Sequence, residues 1–140
     1  MAERVQVPFQ VPRSVAFDYL LDPHNRTQWQ SGLRAVEDVR PMPPQVGTRW
    51  RDRAVGGMVS EMRLDAVERP TMWAESGRSR GVSMNLTLKF DEVPDGCLVV
   101  AEMRFAGAGL WRAVAAVVSR VFPYGVSRDL ARAARLLNDA

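Results

Sequence analysis

Apolar side chains recur along the chain with two different periods, and the change from one to the other divides it into three parts. In the first, Val5, Val7, Phe9 and Val11 alternate with Gln6, Pro8 and Gln10, the period-two pattern of a half-buried strand. Pro8 lies on the polar register, and its missing N–H suits an edge strand. Over Ser14–Leu21 the period lengthens, placing Ala16, Phe17, Leu20 and Leu21 on one helical face. Asp22-Pro23 ends that helix, because the residue before a proline avoids the helical region. His24–Gln30 predicts a second short helix that stops at Ser31-Gly32, with Trp29 as its one large apolar anchor.

The middle part reads as strands joined by turns. Strands are expected at Leu33–Arg40, before the proline-dense loop Pro41-Met42-Pro43-Pro44, and at Thr48–Ala54, before Gly56-Gly57. Met58, Ser60, Met62 and Leu64 alternate with Val59, Glu61, Arg63 and Asp65, and Glu68-Arg69-Pro70 turns the chain into Thr71–Ser76. Met84, Leu86, Leu88 and Phe90 share one face of the next strand. Pro94-Asp95-Gly96 is a hairpin turn. Beyond it Val99, Ala101, Met103 and Phe105 oppose Leu98, Val100, Glu102 and Arg104. The last part is helical, with Leu110, Val114, Val117, Val118, Val121 and Phe122 at helical spacing over Leu110–Phe122. Leu130, Ala133, Ala134 and Leu137 repeat the spacing over Ser127–Asn138. Pro123 and Gly125 between them predict a kink or break.

A run of about six strands joined by short turns requires antiparallel pairing, since parallel strands need long crossovers. The fold class that follows is α+β. One curved antiparallel sheet wraps around a long C-terminal helix, two short helices follow the first strand, and residues 1–140 form one domain. The inward face then carries Trp50, Met58, Ser60, Met62, Leu64, Met84, Leu86, Leu88, Val99, Ala101, Met103 and Phe105, with Val114 and Val118 opposite them on the helix. The first half of that helix is apolar over more than half its circumference, and burial against the sheet is the expected reason.

Composition changes this picture little. The net charge is +3, but 18 of the 19 basic residues are arginines spread along the chain and Lys89 is the only lysine. A nucleic-acid footprint needs them clustered, so no nucleic-acid partner is expected. No apolar run reaches membrane-span length, and Met1–Gln10 lacks the basic-then-apolar layout of a signal peptide. A cytoplasmic protein without stable membrane insertion is the expectation. Cys97 is the only cysteine, which rules out an intramolecular disulfide, and it reads as a small strand residue rather than a redox group.

Candidate chemistry is sparse. One histidine and one cysteine leave no metal site of recognisable spacing, and none of the glycine pairs has the phosphate-loop pattern. No metal and no cofactor are therefore expected. His24 follows a helix-stopping Asp-Pro and reads as a solvated loop residue. Asp52 shares a register with Trp50, Glu75 alternates with Trp73, and Tyr124 sits at the helix interruption. These three are the catalytic candidates, because a carboxyl group among apolar side chains titrates high enough to transfer protons.

Four stretches then fall into a family order: Val11-Pro12-Arg13-Ser14 running through Phe17 to Leu21-Asp22-Pro23; Trp29; Val46-Gly47-Thr48-Arg49-Trp50; and Asp95-Gly96-Cys97-Leu98-Val99. In these the chain resembles the START-like (SRPBCC) superfamily. That superfamily has the helix-grip fold of the birch-pollen allergen and of bacterial polyketide cyclase/dehydrase-like proteins. Cys97 replaces the family's usual threonine, and Pro123-Tyr124-Gly125 interrupts its final helix. The resemblance implies an apolar cavity between sheet and helix, lined by the inward residues named above, that holds a lipid, an aromatic polyketide or a similar small hydrophobic molecule. Binding without catalysis is the leading expectation. The alternatives are a cofactor-independent cyclase or dehydratase using a cavity carboxylate, and an interaction module using the apolar 110–122 helix, for which a homodimer is one form.

Overall fold

The computed structural model describes residues 2–139. In chain order it contains β1 (Ala2–Phe9), α1 (Arg13–Leu21), a 3-10 turn (Pro23–Asn25), α2 (Arg26–Trp29), β2 (Leu33–Arg40), β3 (Arg49–Ala54), β4 (Val59–Glu68), β5 (Met72–Ser79), β6 (Val82–Val93), β7 (Gly96–Gly107) and α3 (Trp111–Asn138). The strands form one sheet in the order β1-β7-β6-β5-β4-β3-β2, and every neighbouring pair is antiparallel. β1 and β2 are the two edges, and Pro8 lies on one of them.

Asp22 ends α1 and starts the next turn: its carboxylate accepts the His24 backbone N–H at 3.0 Å, and Pro23 occupies the first helical position, where a missing N–H costs nothing. α2 lasts a single turn. Arg26 and Trp29, three residues apart on it, are both buried.

Register defines the inner face. One row runs Trp50–Met62–Gly77–Met84–Phe105, and the next runs Leu64–Glu75–Leu86–Met103. α3 lies chiefly over β1 and β7, with lesser contact to β6 and α2. Its second half packs Leu130, Ala133 and Ala134 into a continuous core with Phe9, Phe17, Leu20, Leu88, Phe90 and Val99. Phe17 meets Phe90 edge to face at 5.2 Å.

Two expectations about α3 are overturned. The helix runs without interruption through Pro123. Proline removes one hydrogen bond and crowds the preceding turn, but packing on both sides holds the helix: Ala115 and Ser119 are buried before it, and Leu130, Ala133 and Ala134 after it. The valine stripe is also not buried. α3 turns its small residues to the sheet, so Leu110, Val114, Val117, Val121 and Phe122 remain exposed.

Candidate functional site

The interior holds a charged group that hydrophobic periodicity does not reveal. Arg26 reaches from α2 to Glu75 on β5, and each is only 1% exposed. Both terminal nitrogens of the guanidinium meet the carboxylate, Nη1 to Oε2 at 3.2 Å and Nη2 to Oε1, a two-point geometry that lysine cannot supply. Three tryptophans from three elements surround the cation, with ring centres 5.7 Å (Trp29), 5.3 Å (Trp50) and 5.4 Å (Trp73) from the guanidinium carbon. At that range each ring face attracts the charge. Burial alone pulls the Arg26 pKa down, but Glu75 outweighs it and, with a smaller contribution from Asp52, holds the guanidinium above its usual value.

Asp52 stands beside this pair on β3. It faces inward two residues from Trp50, whose indole Nε1–H donates to Asp52 Oδ1 at 2.9 Å. Burial raises its pKa to about 6; Arg26 and the Trp50 hydrogen bond pull the other way, and Glu75 adds to the rise. Arg26 Nε, Trp29 Nε1 and Trp73 Nε1 are buried donors with no acceptor among the described residues. Buried donors are almost always satisfied, so a polar partner at this cluster would find three N–H groups unused.

Because α3 covers β1 and β7, the inner face of β2–β5 is closed mainly at the α2 end. Toward the other end, Val36, Asp52, Ser60, Ser79, Val82 and Met84 are only half-buried, and Val118 on α3 is half-buried as well. Asp52 pairs in register with Ser60 and Val36, so this half-open stretch of the inner face sets one carboxyl group and the hydroxyl groups of Ser60 and Ser79 among apolar side chains. Gly77, between Met62 and Met84, contributes no side chain. A Cβ there would press on the Met62 sulfur at 2.5 Å.

The residues singled out in the sequence divide three ways. Trp50, Met62, Leu64, Leu86, Leu88, Val99, Ala101, Met103 and Phe105 are buried within the core. Asp52, Ser60 and Met84 are half-buried on that stretch of the inner face, and Val118 is half-buried on α3. Met58 and Tyr124 stand in solvent, at 54% and 77% exposure, and Val114 is exposed as well. Met58 precedes β4 in a turn instead of lying on the sheet. Tyr124 is carried outward by the unbroken helix instead of sitting at a break. Glu75 faces inward, but onto Arg26.

Arg26 is the residue that sequence reasoning missed. Its signal is its place three residues before Trp29 on one turn of helix, but an arginine in a short polar segment reads as solvated. His24 is exposed and bonds to Asp22. Cys97 is buried, and desolvation raises its thiol pKa. Among the described residues no three His, Cys, Asp or Glu side chains come together, and no helix is long and apolar enough to cross a membrane.

Comparison with known proteins agrees with this architecture. A Mesorhizobium loti protein superposes with a TM-score of 0.76 at 18% identity, over 100% of this chain and 98% of its own. DynU16, from the dynemicin biosynthetic locus, gives 0.69 at 18% identity, over 97% of this chain and 46% of its own. Ara h 8.0201 gives 0.65 at 14% identity, over 94% and 97%. At such identities the likeness is one of fold. No curated protein matches. Residues 3–138 match the family described as polyketide cyclase / dehydrase and lipid transport, and the chain belongs to that family.

Proposed function

We propose that this protein binds a small, mostly apolar molecule bearing an oxygen function, in the cleft between the first half of α3 and the inner face of β2–β6. The observation that carries this reading is Asp52. A carboxyl group titrating near 6 stands on an apolar wall at the part of the inner face that α3 leaves uncovered. Protonated, it donates to a carbonyl or phenolate oxygen; ionised, it accepts from a hydroxyl. The valine and methionine walls supply area without direction, and Asp52 with Ser60 supplies orientation. Family membership supports a hydrophobic ligand, either lipid or aromatic polyketide.

Titration with anilinonaphthalene sulfonate, followed by displacement with a fatty acid and with a hydroxyanthraquinone, tests the reading. Saturable binding at one site is expected. Ser60→Phe, which fills the cleft, should weaken it by about tenfold or more. Non-saturable binding, or binding indifferent to Ser60→Phe, would sink the proposal.

The same carboxyl group favours a second reading, a cyclase or dehydratase. A group with a pKa near 6 removes a proton from the carbon next to a carbonyl and returns it to a departing hydroxyl, which leaves as water. Asp52→Asn would then abolish turnover of a β-hydroxyketone while leaving dye binding in place. Dye binding by the wild type with no turnover of the β-hydroxyketone would favour simple binding.

A further inference from the structure

The outward face of the first half of α3 is left exposed by the described residues. At 100° per residue, Leu110, Val114, Val117 and Val121 fall within an arc of about 60°, and the sheet-facing Ser119 lies on the far side. Leu110 is 90% exposed, and Val117 and Val121 are each 63% exposed. Burying such side chains would be worth more than leaving them in water, and nothing in the fold does so. Tyr124 and Arg128 continue the same stripe, both exposed.

A second exposed apolar group sits at the same end of the sheet. Val55 and Met58 flank the β3–β4 turn. The Ser79 hydroxyl donates to the Val59 carbonyl at 2.9 Å, tying that turn to the tip of the β5–β6 hairpin. Trp111 in turn rests on that tip at Gly81, where a Cβ would strike its indole. The surrounding charge has one sign. Arg80 at the hairpin tip and Arg120 beside the valine arc are exposed and form no ion pair among the described residues, and α3 carries no acidic residue before Asp129. Glu61, opposite Arg78 in register, is the nearby exception.

We propose that this end of the molecule docks reversibly on an anionic lipid bilayer, with the first half of α3 lying in the interface. A valine-rich face, a flanking tryptophan and tyrosine, and arginines without counter-ions form the pattern of an in-plane amphipathic helix. A second copy fits worse: face-to-face pairing about a two-fold axis would set the same unpaired arginines against each other. The proposal does not depend on what the cleft holds.

Flotation of the full chain with phosphatidylglycerol-containing vesicles tests it against pure phosphatidylcholine vesicles. Partition onto the anionic vesicles is expected to exceed that onto neutral ones by about tenfold or more and to fall with added salt. The pair Val117→Glu and Val121→Glu should reduce partition about tenfold or more with thermal unfolding unchanged. If that pair fails to fold, Arg80→Gln with Arg120→Gln carries the test, each change lowering partition roughly fivefold. Failure to float with anionic vesicles, or equal flotation of wild type and variants, overturns the proposal. So does a wild-type dimer, by light scattering, that Val117→Glu and Val121→Glu abolish.

Discussion

Replacing Glu75 alone leaves the Arg26 guanidinium charged and surrounded by three indoles, with only the weaker attraction of Asp52 to offset its burial. Breaking a buried pair in this way costs about 3–5 kcal/mol, whereas replacing both partners with apolar groups of similar volume is often close to neutral. Glu75→Gln is therefore expected to destabilise the fold by that amount in urea titrations, and Arg26→Met with Glu75→Leu by much less. Equal losses in the two variants would mean that the tryptophans, not the pairing, hold the cation. Asp52 makes the opposite prediction. Its folded pKa, about 6, lies above the ordinary 3.8, so the folded state binds the proton more tightly. The cost of ionisation is fully present above pH 6 and is relieved as pH falls toward 4. Asp52→Asn, which still accepts from Trp50, should raise stability at pH 7 by about 1–3 kcal/mol, with the advantage vanishing near pH 4 in paired melting curves. Both carboxyl groups were legible in the sequence through their registers with Trp50 and Trp73. Arg26 was not, because a charge in a one-turn helix carries no periodic signal and its burial is decided by a strand 49 residues away.

Among the elements, alternation located β1, β4, β6 and β7, and turn residues bounded β2, β3 and β5, of which β2 has no buried position for a period to mark. The turns at Gly56-Gly57 and Pro94-Asp95-Gly96 fall where glycine and proline placed them. α3 is where local reasoning failed twice. Proline in a helix costs about 3 kcal/mol relative to alanine, which predicts a break only if neither half is held elsewhere. Both halves are anchored by buried residues, so the cost is absorbed instead of relieved. Pro123→Ala is accordingly expected to stabilise the protein by about 1–3 kcal/mol, read as a shift in the urea midpoint with unchanged slope. No change would show that the helix had already relaxed around the ring. The outward valines failed for a related reason: hydrophobic spacing identifies an apolar face but not which face the sheet will take. Ala115 and Ser119 permit the closer approach, and they form the contact.

At the scale of the molecule, the grip is asymmetric. α3 clamps β1 and β7, and its second half closes a core with α1. β2 at the far edge pairs with β3 alone among the strands and otherwise rests mainly on α2 and the 3-10 turn, in a register that shifts twice and with Asp38 at φ 56°. Local opening costs least where few apolar contacts must be broken. Amide hydrogen exchange should therefore be slowest in β6, β7, β1 and the 130–137 segment of α3, and fastest in β2 and the outer end of β3. Asp52 lies between these regimes, on β3, one strand in from the β2 edge. A ligand seated against Asp52 and Ser60 would bridge β3 and β4 to Val118 of the clamped helix, coupling the loose side to the firm one. Binding to the folded form alone stabilises it in proportion to the logarithm of ligand concentration, and the added protection should be unevenly distributed. Exchange at saturating fatty acid or hydroxyanthraquinone is expected to slow by about tenfold in β2–β4 and hardly at all in β7. Uniform slowing across the sheet would mean that the ligand tightens the whole fold from outside the cleft, and protection confined to 111–122 would place it on the helix face.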